Sequence, residues 1–262
     1  MVVELSPPIA YGRTAELYAW QPGWVLKLFY DWFEPDHIEY EARIARTLQA
    51  SGLPIPAVGE LVHVNGRHGL IYQRIEGEPM RQHLARQPWR LLAYARRAAA
   101  LHIQMHTHPA PADLPGQRRR LVSKIRQASL PATLRAKALS ALERLPENDR
   151  LCHGDFHPGN ILMTAQGEII IDWIDATRGN ALADLARTSI LLLGAVACQI
   201  RSARENILVR LFHAAYRRYY FRSSPGGETE YRRWLPVVAA ARLSENITEL
   251  EAWLTAQAEQ VL

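Results

Sequence analysis

The stretch "LCHGDFHPGNILMTAQGEIIIDWID", residues 151–175, decides the fold. It gathers His153, His157, Asp155, Asp172, Asp175 and Asn160 around Ile169, Ile170 and Ile171, a run that reads as a buried strand. Gly154, Pro158 and Gly159 mark the first part as a loop, so Asp155 and Asn160 stand on irregular backbone. Downstream, "ILM" and "EIIID" flank the hairpin signal Ala165-Gln166-Gly167, which predicts that the ends of two short strands bring Asn160 and Asp172 together. A simple capped turn needs one such polar residue, and this segment has several. One carboxylate to orient an attacking hydroxyl and take its proton, with hard oxygens to hold Mg²⁺ against phosphates, is what phosphoryl transfer requires.

Either side of this stretch the patterns differ. Before residue 75, β-like runs alternate with turn signals: "IAYGRTAELYAW", Gln21-Pro22-Gly23 and "WVLKLFY", then "ELVHV", Asn65-Gly66 and "HGLIYQRI". These predict two hairpins. Between them "PDHIEYEARIARTLQASGLPIP" reads as one helix, with Asp36 and Glu39 as a capping-box-like start and Gly52 and Pro54 as its stop. After residue 76 the pattern is mostly helical, over 88–108, 117–145, 181–220 and 231–260, with "RSSPGGETE" at 222–230 as an exposed loop. There is no internal repeat. The expected domains are therefore residues 1–75, small and β-rich, and 76–262, larger and mainly helical.

The first domain carries its own signal. Val25, Lys27 and Phe29 alternate onto one strand face, which sends Lys27 to the same side as two apolar residues. An inward lysine is costly without a partner. On a helical projection of 36–51, Glu41 falls among Ile38, Ala42, Ala45 and Leu48, whereas Glu39 faces away, so Glu41 is the expected partner.

The Asp155-to-Asn160 spacing equals that of the protein-kinase catalytic loop, H-R-D-x-x-x-x-N. More specifically, "HGDFHPGNIL", "IIDWIDA" and "ALADLART" resemble the aminoglycoside phosphotransferase and choline kinase group of small-molecule kinases. The resemblance implies an α+β, bilobal protein-kinase-like fold and the use of ATP and Mg²⁺. It makes Asp155 the catalytic base, Asn160 and Asp172 the metal ligands with Asp175 as second choice, and Asp184 a carboxylate supporting the loop. Lys27, positioned by Glu41, would meet the nucleotide phosphates. A full G-x-G-x-x-G is missing; "YGRTAELY" offers Gly12, with Thr14 as a phosphate donor. By family position "YQRIEG" at 72–77 is the hinge, whose backbone at Gln73 and Ile75 would hydrogen-bond adenine.

Composition bounds the alternatives. With 262 residues and 48% hydrophobic content the chain can bury a sizeable core, which argues against disorder. No apolar run reaches the length of a membrane span and "MVVELSPPIA" lacks the features of a signal peptide, so the expectation is a cytoplasmic protein without a membrane partner. Cys152 and Cys198 are too few for a disulfide framework and read as inert thiols. The net charge is +5, and residues 81–150 hold fourteen Lys and Arg, yet only Arg118, Arg119 and Arg120 cluster and no aromatic platform accompanies them. A solvated helical face fits better than a nucleic-acid interface. His102 and His106 sit one turn apart, as metal ligands can, but no H-E-x-x-H accompanies them. His153 and His157 are read as shaping the catalytic loop. A protein kinase is disfavoured because Asp184 follows Asp172 too soon for an activation segment. The expected activity is thus transfer of the γ-phosphoryl group of ATP to a hydroxyl of a small molecule, with no obligate protein partner evident; the alternative is a catalytically inactive, kinase-like nucleotide-binding module. Acceptor contacts are expected from "ARLSENITE", at Arg242, Glu245 and Asn246.

Overall fold

The computed structural model describes residues 4–49, 53, 55–198 and 202–261. Gly52 and Pro54, the expected helix stop, lie outside the described residues. In chain order the first elements are β1 (Ala10–Tyr11), β2 (Ala15–Ala19), β3 (Trp24–Phe29), α1 (Pro35–Gln49), β4 (Val58–Val64) and β5 (Arg67–Gln73). Then come β6 (Glu78–Pro79), α2 (Met80–Arg86), α3 (Leu91–Thr107), α4 (Gln117–Gln127), α5 (Ala132–Glu143) and β7 (Arg150–Cys152). The chain continues with β8 (Ile161–Thr164), β9 (Gly167–Ile170), β10 (Thr177–Gly179), α6 (Ala181–Ala197), α7 (Ala203–Ser223), α8 (Glu228–Arg242) and α9 (Glu251–Ala258). Packing groups them into two units: the residues up to Glu78 with Leu162–Ile174, and Pro79–Ile161 with Asp175 onward.

The first unit is built on an antiparallel sheet in the order β1-β2-β3-β5-β4. Its turns follow from residue chemistry: Asn65 and Gly66 both take positive φ, 49° and 84°, the combination a two-residue hairpin turn demands. Strand alternation then sorts the side chains. Tyr18, Leu26, Leu28 and Val64 pack together in one cluster, and Ala15, Phe29 and Leu70 pack on Ile38 and Ala42 of α1 in another. α1 starts at Pro35, which suits a first helical position because its ring presets φ and its missing N–H is not needed there. Asp36 therefore lies inside the first turn and does not cap the helix, a correction to the sequence reading.

The second unit is mainly helical, with α3 packed on α7 and α6 on α8. Trp234, Tyr216, Tyr231 and Phe156 are its largest fully buried side chains. Three expected long helices are broken. The 117–145 pattern splits into α4 and α5 because Ala128 turns extended and Pro131, which cannot continue a helical ladder, stands just before α5. The 181–220 pattern restarts at α7, where Ser202 and Glu205 form a reciprocal capping box. The 231–260 pattern ends its first helix at Arg242 and passes through Asn246 in the left-handed region before α9. The 222–230 loop shrinks as well, since α7 runs to Ser223 and α8 begins directly after left-handed Gly227. Among the described residues no helix is long and apolar enough to cross a membrane.

Candidate active site

In the first unit, Lys27 Nζ donates to Glu41 Oε1 at 2.7 Å. β3 delivers the lysine and the buried face of α1 delivers the carboxylate, which is only 4% exposed. A third member was not read from the sequence: Tyr72 of β5 donates its hydroxyl to the same Glu41 oxygen at 2.9 Å. Its signal was present, because Leu70 stands opposite Lys27 and Tyr72 opposite Val25, which puts both on the lysine's face. Burial, then Glu41, pushes the Tyr72 phenol well up, with the charge of Asp172 adding to the effect. Glu41 Oε2 is buried with no hydrogen-bond donor among the described residues. Lys27 Nζ also lies 5.3 Å from the centre of the Phe29 ring.

Asp172 does not lie on a strand. β9 stops at Ile170, and Asp172 follows with φ 65°, a left-handed conformation uncommon for any residue but glycine. The buried Trp173 ties this turn down by donating its indole N–H to the Ile170 carbonyl at 2.9 Å, while the Asp172 carboxylate stays exposed. Thr14 sits in the β1–β2 turn, where its carbonyl accepts the Tyr30 N–H at 3.0 Å and Gly12 N–H donates to the Ala15 carbonyl at 2.8 Å. The Gln73 backbone N–H is taken by the Ala57 carbonyl at 2.8 Å. Ile75 lies two residues past the end of β5.

In the second unit, Asp155 stands in the loop after β7. Asn160 Nδ2 donates to both the carbonyl and the Oδ2 of Asp155, each at 3.0 Å, so the amide nitrogen is spent locally and Asn160 keeps its carbonyl oxygen for another partner. His157 lies with Nε2 3.6 Å from the same Oδ2, and its Nδ1 accepts the Gly159 N–H at 3.0 Å. His153 Nδ1 accepts the Asp155 N–H at 3.1 Å. Burial alone would raise the Asp155 carboxyl, but the hydrogen bond and charge of His157, with Arg187 and His153, hold it below its ordinary value. It is an ionised acceptor at neutral pH.

Asp184, in the first turn of α6, holds this loop from beneath. Its Oδ2 accepts the His153 N–H and its Oδ1 the Gly154 N–H, both at 2.8 Å. His102 and His106 of α3 reach the same Oδ2 through Nε2, at 3.0 and 3.2 Å. A carboxylate can only accept, so both Nε2 atoms carry hydrogen. Burial pushes the His102 imidazole down to about 3, so it is neutral and its Nδ1 accepts from the Tyr216 hydroxyl. His106 Nδ1 pairs with Tyr220 at 2.8 Å. His102, His106 and Asp184 thus place three metal-capable atoms within 4.8 Å, but hydrogen bonding already uses both ring nitrogens of each histidine. The Phe156 ring stacks on His102, centroids 4.0 Å apart, and this buried anchor leaves its neighbour Asp155 only partly covered. Phe156, Tyr216 and Tyr220 were missed because their partners are far away in sequence.

Asp175 is otherwise engaged. It ion-pairs with Arg120, and its carbonyl lies so near Gly154 that a Cβ there would come within 2.5 Å. Arg187 of α6 donates from Nε to the Gly154 carbonyl at 3.0 Å and from Nη2 to Glu245 at 2.6 Å. Of the three residues expected to face an acceptor, Arg242 and Glu245 join this cluster and Asn246 is exposed. Asn160, with its amide nitrogen engaged, and Asp172 each offer oxygen, the ligand type a hard cation takes.

The model of the phosphotransferase enzyme family matches residues 11–234. The chain belongs to that family. No curated protein matches this phosphotransferase. Among solved structures it is similar to a choline/ethanolamine kinase family protein from Mesorhizobium loti, with a TM-score of 0.60, 17% identity, and coverage of 99% of this chain and 88% of that one. An aminoglycoside-3'-phosphotransferase of type VIII gives 0.61 and 20% identity, with 94% and 92% of the two chains covered. The ADP-bound aminoglycoside phosphotransferase APH(2'')-Ib gives 0.62 and 17%, with 100% and 95% covered. At such identities the likeness concerns the fold, which is the α+β, kinase-like one expected from the sequence.

Proposed function

We propose that this phosphotransferase moves the γ-phosphoryl group of ATP, with Mg²⁺, to a hydroxyl of a small molecule. The observation that carries the reading is the loop at 153–160, in which Asn160 and His157 hold one oxygen of an ionised Asp155 while Asp184 fixes the backbone on the other side. With Oδ2 so occupied, Oδ1 is the atom that takes the acceptor's proton. Lys27, steadied by Glu41 and Tyr72, binds the nucleotide phosphates. Thr14 donates to phosphate, and the Gln73 carbonyl and Ile75 amide meet adenine. Asn160 and Asp172 hold Mg²⁺, which when bound offsets charge on the phosphates. In this reading residues 1–75 bind the nucleotide and 76–262 supply the base and the acceptor site. APH(2'')-Ib, which holds ADP on the same fold, supports the use of a nucleotide.

A nucleotide-binding module without activity would share Lys27 and Glu41 but release no ADP. A coupled ADP-release assay over sugars, amino alcohols, hydroxy acids and aminoglycosides separates the two readings. MgATP should raise the thermal midpoint, because it binds the folded state alone, and Lys27→Ala should weaken that gain. No midpoint shift in the parent protein contradicts nucleotide binding; a shift without turnover on any acceptor favours the inactive module.

A further inference from the structure

Beside the catalytic loop, the second unit contains a cavity whose lining includes Arg120, Lys124, Gly154, Asp175, Arg187 and Arg242. Cations outnumber the carboxylates able to answer them. Asp175 is matched to Arg120. Asp184 has its oxygens occupied by the loop amides and two histidines; Asp155 has Oδ2 on Asn160 and His157, and its charge reaches Arg187 and Arg242 without an ion pair to either among the described residues. Among the described residues Glu245 is the ion-pair partner of the remaining three: Arg187 at 2.6 Å, Arg242 at 3.4 Å and Lys124 at 3.6 Å. Arg242 is 8% exposed; its Nε lies 3.4 Å from Glu245 Oε2 as an ion pair, and neither Nε nor Nη1 makes a hydrogen bond among the described residues. A buried guanidinium left with unmade hydrogen bonds is the arrangement an incoming oxyanion completes.

We propose that this cavity binds a carboxylate or phosphate group on the acceptor, so that the substrate is a small hydroxy compound bearing an oxyanion. The inference rests on the reading of Asp155 as the base. Gly154 lines the cavity and Asp155 follows it directly, so the anionic group and the reacting hydroxyl belong to one compact molecule. Against burial, Glu245, Asp175 and Asp155 raise Arg187, whereas burial, then the neighbouring Arg187, pushes Arg242 down to about 10 and also lowers Lys124. A polycationic acceptor would meet like charge here. The guanidinium of Arg242 can donate to either oxyanion, and Lys124 adds a point charge.

The test is the thermal midpoint without nucleotide, titrated with D-glycerate, glycerol 3-phosphate, glycerol and choline at matched ionic strength. At least one anion should raise the midpoint where glycerol and choline do not, and the two anions separate carboxylate from phosphate. Arg242→Gln should weaken that anion by at least about tenfold, as expected for a lost charge-assisted contact, while Arg232→Gln, an exposed change on the same helix, should not. If Arg242→Gln fails to fold by circular dichroism, Lys124→Gln carries the same expectation. No response to either anion, or a response unchanged in the pocket variants, overturns the proposal. So does ADP release with choline or an aminoglycoside but with no anionic hydroxy compound, although phosphotransfer itself would then stand. Anion binding without any MgATP-induced shift would leave the pocket standing and overturn the proposed function.

Discussion

Two carboxylates three positions apart stand in different surroundings. Asp172 is exposed on left-handed backbone in the first unit, whereas Asp175 is bound to Arg120 in the second. If Asp172 holds the metal, Asp172→Asn should abolish turnover at every magnesium concentration, while Asp175→Asn should keep the parent's magnesium half-saturation. Magnesium titrations of the two variants check this, and the opposite ranking would move the metal site to Asp175. Asp184 and His102 make a second residue-level expectation, in pH. Burial holds His102 at about 3 against an ordinary 6.5, so between those values the unfolded chain binds a proton that the folded one refuses. Stability is therefore complete above about pH 6.5 and falls as the pH drops through that window, at about 1.4 kcal/mol per pH unit for each such proton. Asp184, also held well below its usual value by its histidine hydrogen bonds against the cost of burial, adds a further loss below the ordinary carboxylate range. Urea midpoints from pH 7 to 4 should show the decline, and His102→Gln should flatten it; a flat parental profile would contradict a neutral, buried His102. The Lys27–Glu41 contact was legible because a period-2 strand and a period-3.6 helix both send their charges inward. Tyr72 and Phe156 were not, since apolar-looking aromatics announce no polar role until their partners are in place.

At the level of elements, legibility followed turn chemistry. Asn65-Gly66 gave the β4–β5 hairpin because both residues accept positive φ, and α1 followed from its apolar stripe. The break between α4 and α5 was hidden because Leu130 and Leu134 continue the apolar spacing across it, and only Pro131 betrays the interruption. The three-residue strands β7 and β10 are too short for a period, yet their pairing, Cys152 opposite Thr177, is local to the loop carrying Asp155. That loop depends on one glycine. Gly154 has φ 78°, and a Cβ added there would strike the Asp175 backbone at 2.5 Å, where nothing flexible can yield. Gly154→Ala should thus displace Asp155 and cost turnover at least roughly 10²-fold, in line with the sensitivity of positioned catalytic groups, while leaving the MgATP midpoint shift intact. Parallel midpoint and turnover assays would expose the opposite outcome, full activity, which would mean that the loop's conformation does not position the base.

For the molecule as a whole, the change of pattern near residue 75 marked a β-rich part followed by a helical part, and the composition bounded a chain able to bury a core. The membership of Leu162–Ile174 in the first unit was not legible, because it depends on tertiary packing across a long sequence separation. The same is true of the cations beside Asp155: Arg120, Lys124, Arg187 and Arg242 come from α4, α6 and α8, and no local pattern links them. The account's central claim, that the folded chain transfers a phosphoryl group with Asp155 as the base, is tested most directly by following γ-labelled ATP with Mg²⁺ and the best acceptor from the ADP-release panel. In the parent protein the label should pass to the acceptor, and Asp155→Ala should slow that transfer by at least roughly 10²-fold, the usual contribution of a positioned general base, with the MgATP midpoint shift preserved. Transfer at a near-parental rate by Asp155→Ala would contradict the account, even if ATP still bound.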